Sequence, residues 1–146
     1  MNIFITNKQQ DLKIDKNLIK KVVQALSRCH NVHFDEVCFH FVSANKIKEL
    51  HNNLFQDPTI TDCITCPIDP PGHEPYCLLG EVFVCPQVAI TYASEHKIDP
   101  LKELLLYVIH GFLHLIGFDD LTEEDQKMMR AKEQESLNYL SKEGLC

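Results

Sequence analysis

The chain has 146 residues, 45% of them apolar and 24% charged, and carries a formal net charge of −7. That composition excludes a disordered or fibrous protein, and the acidity excludes sequence-independent coating of nucleic acid, which needs clustered Lys and Arg to displace counterions. The length suits one hydrophobic core, so a single domain over residues 1–146 is expected.

The opening MNIFITNKQQ has no basic run, long apolar stretch or small-residue cleavage site, so no export signal is expected. Residues 2–6 (NIFIT) read as a short strand. Asp15 is placed to cap a helix of roughly 16–29, in which Leu18, Ile19, Val22, Val23 and Leu26 fall on one face. Lys13, Lys16, Lys20, Lys21 and Arg28 concentrate on this segment, where a solvated helix face explains them and a local basic patch is the alternative. A strand over 36–42 (EVCFHFV) follows, and Ser43 can cap a second helix through about Leu54, in which Ile47, Leu50 and Leu54 recur at helical spacing.

Residues 56–61 and 67–77 are rich in Asp, Pro, Thr and Gly and read as loops around a short strand at 62–66. The 67–77 loop, with its prolines and Gly72, is expected to be mobile and suits a lid or rim; plain connection is the other reading. Residues 80–85 (GEVFVC) form a further strand. Pro86 starts a helix to about His96, and Asp99 followed by Pro100 starts another that is apolar nearly all round and ends at Gly117. Its apolar run, 104–116, is broken by two histidines and a glycine and falls short of the ~20 residues of a membrane span, so it is a core helix. Thr122 with Asp125 resembles a capping box opening a last helix to about Leu140, with Met128, Met129 and Leu137 facing inward.

Seven cysteines is an odd count, and Cys38, Cys63 and Cys85 lie in strand-like runs, so reduced thiols in a cytosol are expected in place of a disulfide framework. The CITC at Cys63 and Cys66 resembles half a zinc knuckle, but no second CxxC completes it and ordinary strand residues are the better reading.

The segment HGFLHLIGFDD carries the chemistry. His110 and His114 are four residues apart on one helix, which puts both imidazoles on one face with Cβ atoms ~6 Å apart. Buried imidazoles need polar partners, and one metal ion satisfies both. Gly117 can turn the chain back so that Asp120 approaches the last helical turn, where the partial negative charge of the helix end favours a cation. A solvated turn is the alternative reading of Asp119 and Asp120. Two imidazoles and one carboxylate with an open fourth position make zinc the default and the site catalytic in type, although the same ligand set serves non-haem iron. Position 111 is glycine, where a protease of the H-E-x-x-H kind has its general base, so a peptidase is not expected.

At these residues the chain resembles the YbeY family of metal-dependent endoribonucleases, whose signature runs H-G-x-L-H-L-x-G-[YF]-D-H. HGFLHLIGFDD matches all but its last position. TDCITCP at 61–67 is similar to the family's T-D-V-L-S-F-P strand, GEVFV at 80–84 to its G-D-I-x-I strand, and Met129 and Glu133 match its following helix. Two departures stand out: Asp120 replaces the third histidine ligand, and an arginine that precedes the T-D strand in the family is absent from NNLFQDP. The resemblance implies an α+β fold, a small mixed sheet packed with helices, with a zincin-like metal cleft. It implies one Zn2+ per chain on His110, His114 and Asp120, in a cytoplasmic endoribonuclease acting in rRNA maturation at the 3′ end of small-subunit rRNA and in ribosome quality control. Expected partners are ribosomal RNA and the small ribosomal subunit, with no membrane and no DNA. Glu81, matching the G-D carboxylate, is a partner of the site or its base, or a strand carboxylate bonded for structure. Two other readings stay open: a non-catalytic ribosome-assembly factor with a structural metal, and a metal-dependent hydrolase of some small substrate.

Overall fold

A computed structural model describes all 146 residues. Strands β1 (Asn2–Lys8), β2 (Glu36–Val42), β3 (Cys63–Pro67) and β4 (Leu78–Val84) form one sheet in the order β1-β2-β4-β3. The first, second and fourth run parallel, and β3 lies antiparallel to β4 at the edge. Parallel neighbours require a crossover, and α1 (Lys16–Cys29) supplies it between β1 and β2. Helix α2 (Ala44–Phe55) leads from β2 to the edge strand, and α3 (Pro86–His96), α4 (Pro100–Leu115) and α5 (Glu123–Lys142) follow β4. This is the α+β arrangement, a small mixed sheet packed with helices, that the resemblance implies.

The helix starts obey local chemistry. Asp15 accepts from the amides of Asn17 and Leu18, Ser43 from Lys46 and Asp99 from Leu101, while Thr122 and Asp125 close a reciprocal capping box. Val37, Phe39 and Phe41 of β2 and Val82 and Val84 of β4 alternate toward the main core, where they meet Ile19 and Leu26 of α1 and Val108 and Phe112 of α4. Burial of each such side chain contributes about 1.5–3 kcal/mol. The opposite face of the sheet has a smaller cluster in which Ile47 of α2 covers Val42 and Ile64.

Four expectations change or resolve here. Leu54, at helical spacing from Ile47 and Leu50, is nevertheless 52% exposed, because the small outer cluster takes only Ala44, Ile47 and Leu50 from α2. Met128 is 51% exposed: it sits about 100° around the helix from Met129, which is fully buried, and one inward direction cannot serve both. The loop after β3 is no lid. Ile68 and Asp69 donate to the carbonyls of Leu79 and Leu78, Gly72 donates to His33, and the Cys77 amide donates to Asp35; the loop's cavity, with His33 and Phe34, contains neither His110 nor His114. All seven cysteines are free thiols. Cys63 faces α4 and Cys66 packs with the outer cluster, since residues three apart on a strand point to opposite faces and cannot share an ion.

Candidate metal centre

Helix α4 is buried along most of its surface and leaves His110 and His114 on its one partly exposed strip. Gly111, on the buried face beside that strip, lets the helix sit close against β3 and β4. A Cβ at position 111 would stand 2.5 Å from Val82 Cγ1 and 3.1 Å from Cys63 Sγ, so only a glycine permits this approach. The helix ends with the amide of Phe118 donating to Leu113 and that of Gly117 to His114, and Gly117 takes φ +109°, which favours glycine. The chain therefore doubles back, and Asp120 returns to the last turn.

Three donor atoms converge there. His110 Nε2 and His114 Nε2 are 3.0 Å apart, and Asp120 Oδ2 lies 3.4 Å from the first and 3.6 Å from the second. The imidazole planes are nearly perpendicular, at 82°, so the rings meet edge to face with both Nε2 atoms turned to one point. Around an ion with bonds of ~2.0–2.1 Å, tetrahedral donors stand ~3.3–3.4 Å apart, and the three separations bracket that edge. The donor set and its spacing fit zinc. Asp119 is exposed and joins no such group.

Behind His110 stands a carboxylate whose role the sequence did not announce. Glu133 Oε1 lies 3.8 Å from His110 Nδ1, a charge contact beyond hydrogen-bond length, and accepts a hydrogen bond of 2.8 Å from Arg130. Burial works to lower the His110 pKa, but Glu133, then Asp120 and Asp62, outweigh it and the value is raised. Burial works to raise that of Glu133, but His110 and Arg130 outweigh it and the value is lowered. Both directions reflect the same favourable contact between the imidazole and the carboxylate. Glu133 sits nearly three turns into α5, placed by the Thr122 cap, and only its match to the family's helix could have flagged it.

Glu81 does not serve this centre. It lies on the sheet face opposite Val82 and α4, where it accepts from His40 Nε2 at 2.9 Å.

The donors stand between two cavities. One, of about 720 Å³, is walled by Asp62, Tyr92, Glu103, Arg130 and Glu133. The other, of about 260 Å³, takes His51, Phe55 and Thr61–Thr65. His110, Asp120 and Asp62 border both. His51 was not foreseen: its Nδ1–H donates 2.9 Å to the Thr59 carbonyl, so that in the neutral ring Nε2 carries the lone pair, and Asp57 Oδ2 is 3.9 Å from that Nε2. Burial drives the Cys63 thiol far up, so this cavity residue stays a neutral thiol.

The family model described as Endoribonuclease YbeY matches residues 4–141 of this chain. The protein named Endoribonuclease YbeY from Protochlamydia amoebophila is 42% identical over 137 residues, 94% of this chain and 91% of that one. Its namesake from Chlamydia muridarum is 39% identical over 141 residues, 95% and 88% of the two chains. The solution structure of a Thermotoga maritima protein matches with a TM-score of 0.68 at 28% identity, covering 97% of this chain and 90% of the other.

Proposed function

The chain belongs to the YbeY family of endoribonucleases, and from that premise we propose that it is a zinc-dependent endoribonuclease of the cytoplasm. Its substrate in this reading is ribosomal RNA, at the 3′ end of the small-subunit rRNA, with a further role in ribosome quality control. The observation that carries the reading is the triangle of His110 Nε2, His114 Nε2 and Asp120 Oδ2, whose edges suit one tetrahedral ion. Three protein donors beside open cavities belong to a catalytic type of site, whereas a purely structural zinc takes four. Zinc bound there would supply Lewis acidity, acidifying water toward a pKa of ~7 and stabilising charge on a phosphoryl oxygen.

The chain's own groups do the rest. Glu133 stands on the Nδ1 side of the His110 ring, 3.8 Å away, and leaves Nε2 as the nitrogen that would hold the ion. His51 presents a lone pair at Nε2 in the same cavity and can take a proton there during attack on phosphorus; Asp57, 3.9 Å away, then faces the imidazolium charge. The cavities on either side give flanking nucleotides two places to lie. Tyr92, 41% exposed and stacked on His96, walls one, and Phe55, 60% exposed, walls the other; both offer a ring face to an unstacked base.

Elemental analysis of gently purified protein tests the metal part of this reading. About one zinc per chain is expected, lost in the double substitution His110→Ala with His114→Ala. Metal content unchanged by that substitution would overturn the site.

A further inference from the structure

The sheet face turned away from α4 carries a second group of side chains of metal-ligand type. Cys38 and Glu81 are directly opposed across β2 and β4, and His40 lies two residues along from Cys38 on the same face. Cys38 Sγ, a His40 ring nitrogen and a Glu81 carboxylate oxygen all lie within 4.8 Å of one another. His40 is held on two sides: Phe83 stacks on its ring at 4.7 Å and 22°, and Thr6 Oγ1 is 2.7 Å from its Nδ1. That leaves Nε2 pointing at Glu81 Oε1, 2.9 Å away.

We propose that Cys38, His40 and Glu81 form a second divalent-metal site, of thiolate, imidazole and carboxylate donors, separate from the His110 centre. The imidazole is prepared for it. With Nε2 protonated, the ring donates to Glu81 while Nδ1 accepts from the Thr6 hydroxyl. With Nε2 on an ion, Nδ1–H donates to the same hydroxyl, which serves as donor or acceptor alike. The orienting contact therefore survives the change that binding requires. The mixed sulfur, nitrogen and oxygen set suits zinc or cobalt. Glu81 reaches solvent, with 42% of its side chain exposed, so the ion has an entry path. A nucleophilic role for Cys38 is disfavoured, because burial, and then Glu81 and Glu36, raise its pKa. Binding releases the thiol proton, since the thiolate is the ligand.

Cobalt titration of the full chain separates the two centres, because only the second contains sulfur. The expected result is a near-ultraviolet thiolate-to-cobalt charge-transfer band that persists in His110→Ala with His114→Ala and is lost in Cys38→Ser. Glu81→Gln, which leaves the thiol in place, shifts the band's appearance to higher cobalt. Should the double histidine variant fail to fold, the comparison of the unaltered chain with Cys38→Ser still decides. No band in the unaltered chain, or a band that survives Cys38→Ser, overturns the proposal.

Discussion

Glu133 of α5 lies 3.8 Å from Nδ1 of His110, on the side of the imidazole away from the Nε2 that faces Asp120. A carboxylate in that position fixes a ligating ring and raises its basicity, and losing one typically costs 10- to 100-fold in metal affinity. Glu133→Gln removes the charge while keeping the shape. It should weaken zinc binding by about that factor, read by competition against a chromophoric chelator. Arg130→Ala should cost less, since Arg130 touches Glu133 but neither histidine and its own side chain is 74% exposed.

The same pair sets a pH dependence. The His110 pKa is raised above the ordinary imidazole value of ~6.5, and a protonated ring cannot ligate, so zinc affinity should begin to fall above pH ~6.5 as the solution is acidified. For metal-free protein the sign reverses. A raised folded-state pKa gives stability that is fully present below the unfolded value and lost as pH rises through the folded one. Glu133, with its lowered pKa, adds stability that disappears as pH falls through its folded value, below the usual carboxylate range. Thermal melts of chelator-treated and zinc-loaded protein from pH 5 to 8 should therefore diverge as pH rises.

Asp119 and Asp120 should behave asymmetrically. Of the two, only Asp120 brings a carboxylate oxygen within 3.6 Å of Nε2 of both His110 and His114. Asp120→Ala should lose most of the zinc affinity, while Asp119→Ala should stay within the ~10–100-fold cost of outer contacts. Isothermal titration of both variants decides, and the opposite order would reassign the ligand.

Gly111→Ala should damage fold and site together. Its methyl group would have to push aside Val82 and Cys63, and overpacking of this kind typically costs about 1–3 kcal/mol. Chemical denaturation should show that loss in metal-free protein. Zinc binding should weaken too, because moving α4 away from β3 carries both histidines with it.

Much of this was legible beforehand because the signals were local. Asp15, Ser43, Asp99 and Thr122 announce their helices through short-range hydrogen bonds, and each cap is observed. His110, His114 and Asp120 span eleven residues, so helical spacing and one glycine turn suffice to bring them together. What was hidden depends on contacts between distant segments. Glu133 meets His110 only through the packing of α5 on α4, and His51 reaches the cavity only because α2 ends at the edge strand. The pairing of Cys38 with Glu81 required the strand order β1-β2-β4-β3, which no local pattern encodes. The 67–77 loop misled for a related reason: its proline and glycine content suggested mobility, whereas its bonds to His33 and Asp35 pin it to a remote segment.

The most direct measurement is RNA cleavage against metal occupancy. Protein stripped by chelator, and shown metal-free by elemental analysis, is titrated with zinc and assayed on a structured fragment containing the 3′ end of small-subunit rRNA. A zinc-dependent nuclease centred on His110, His114 and Asp120 should show no cleavage without zinc, activity rising to a plateau as the first equivalent binds, and loss of that activity in His114→Ala. Cleavage by verified metal-free protein, or by His114→Ala at the unaltered rate, would contradict that assignment.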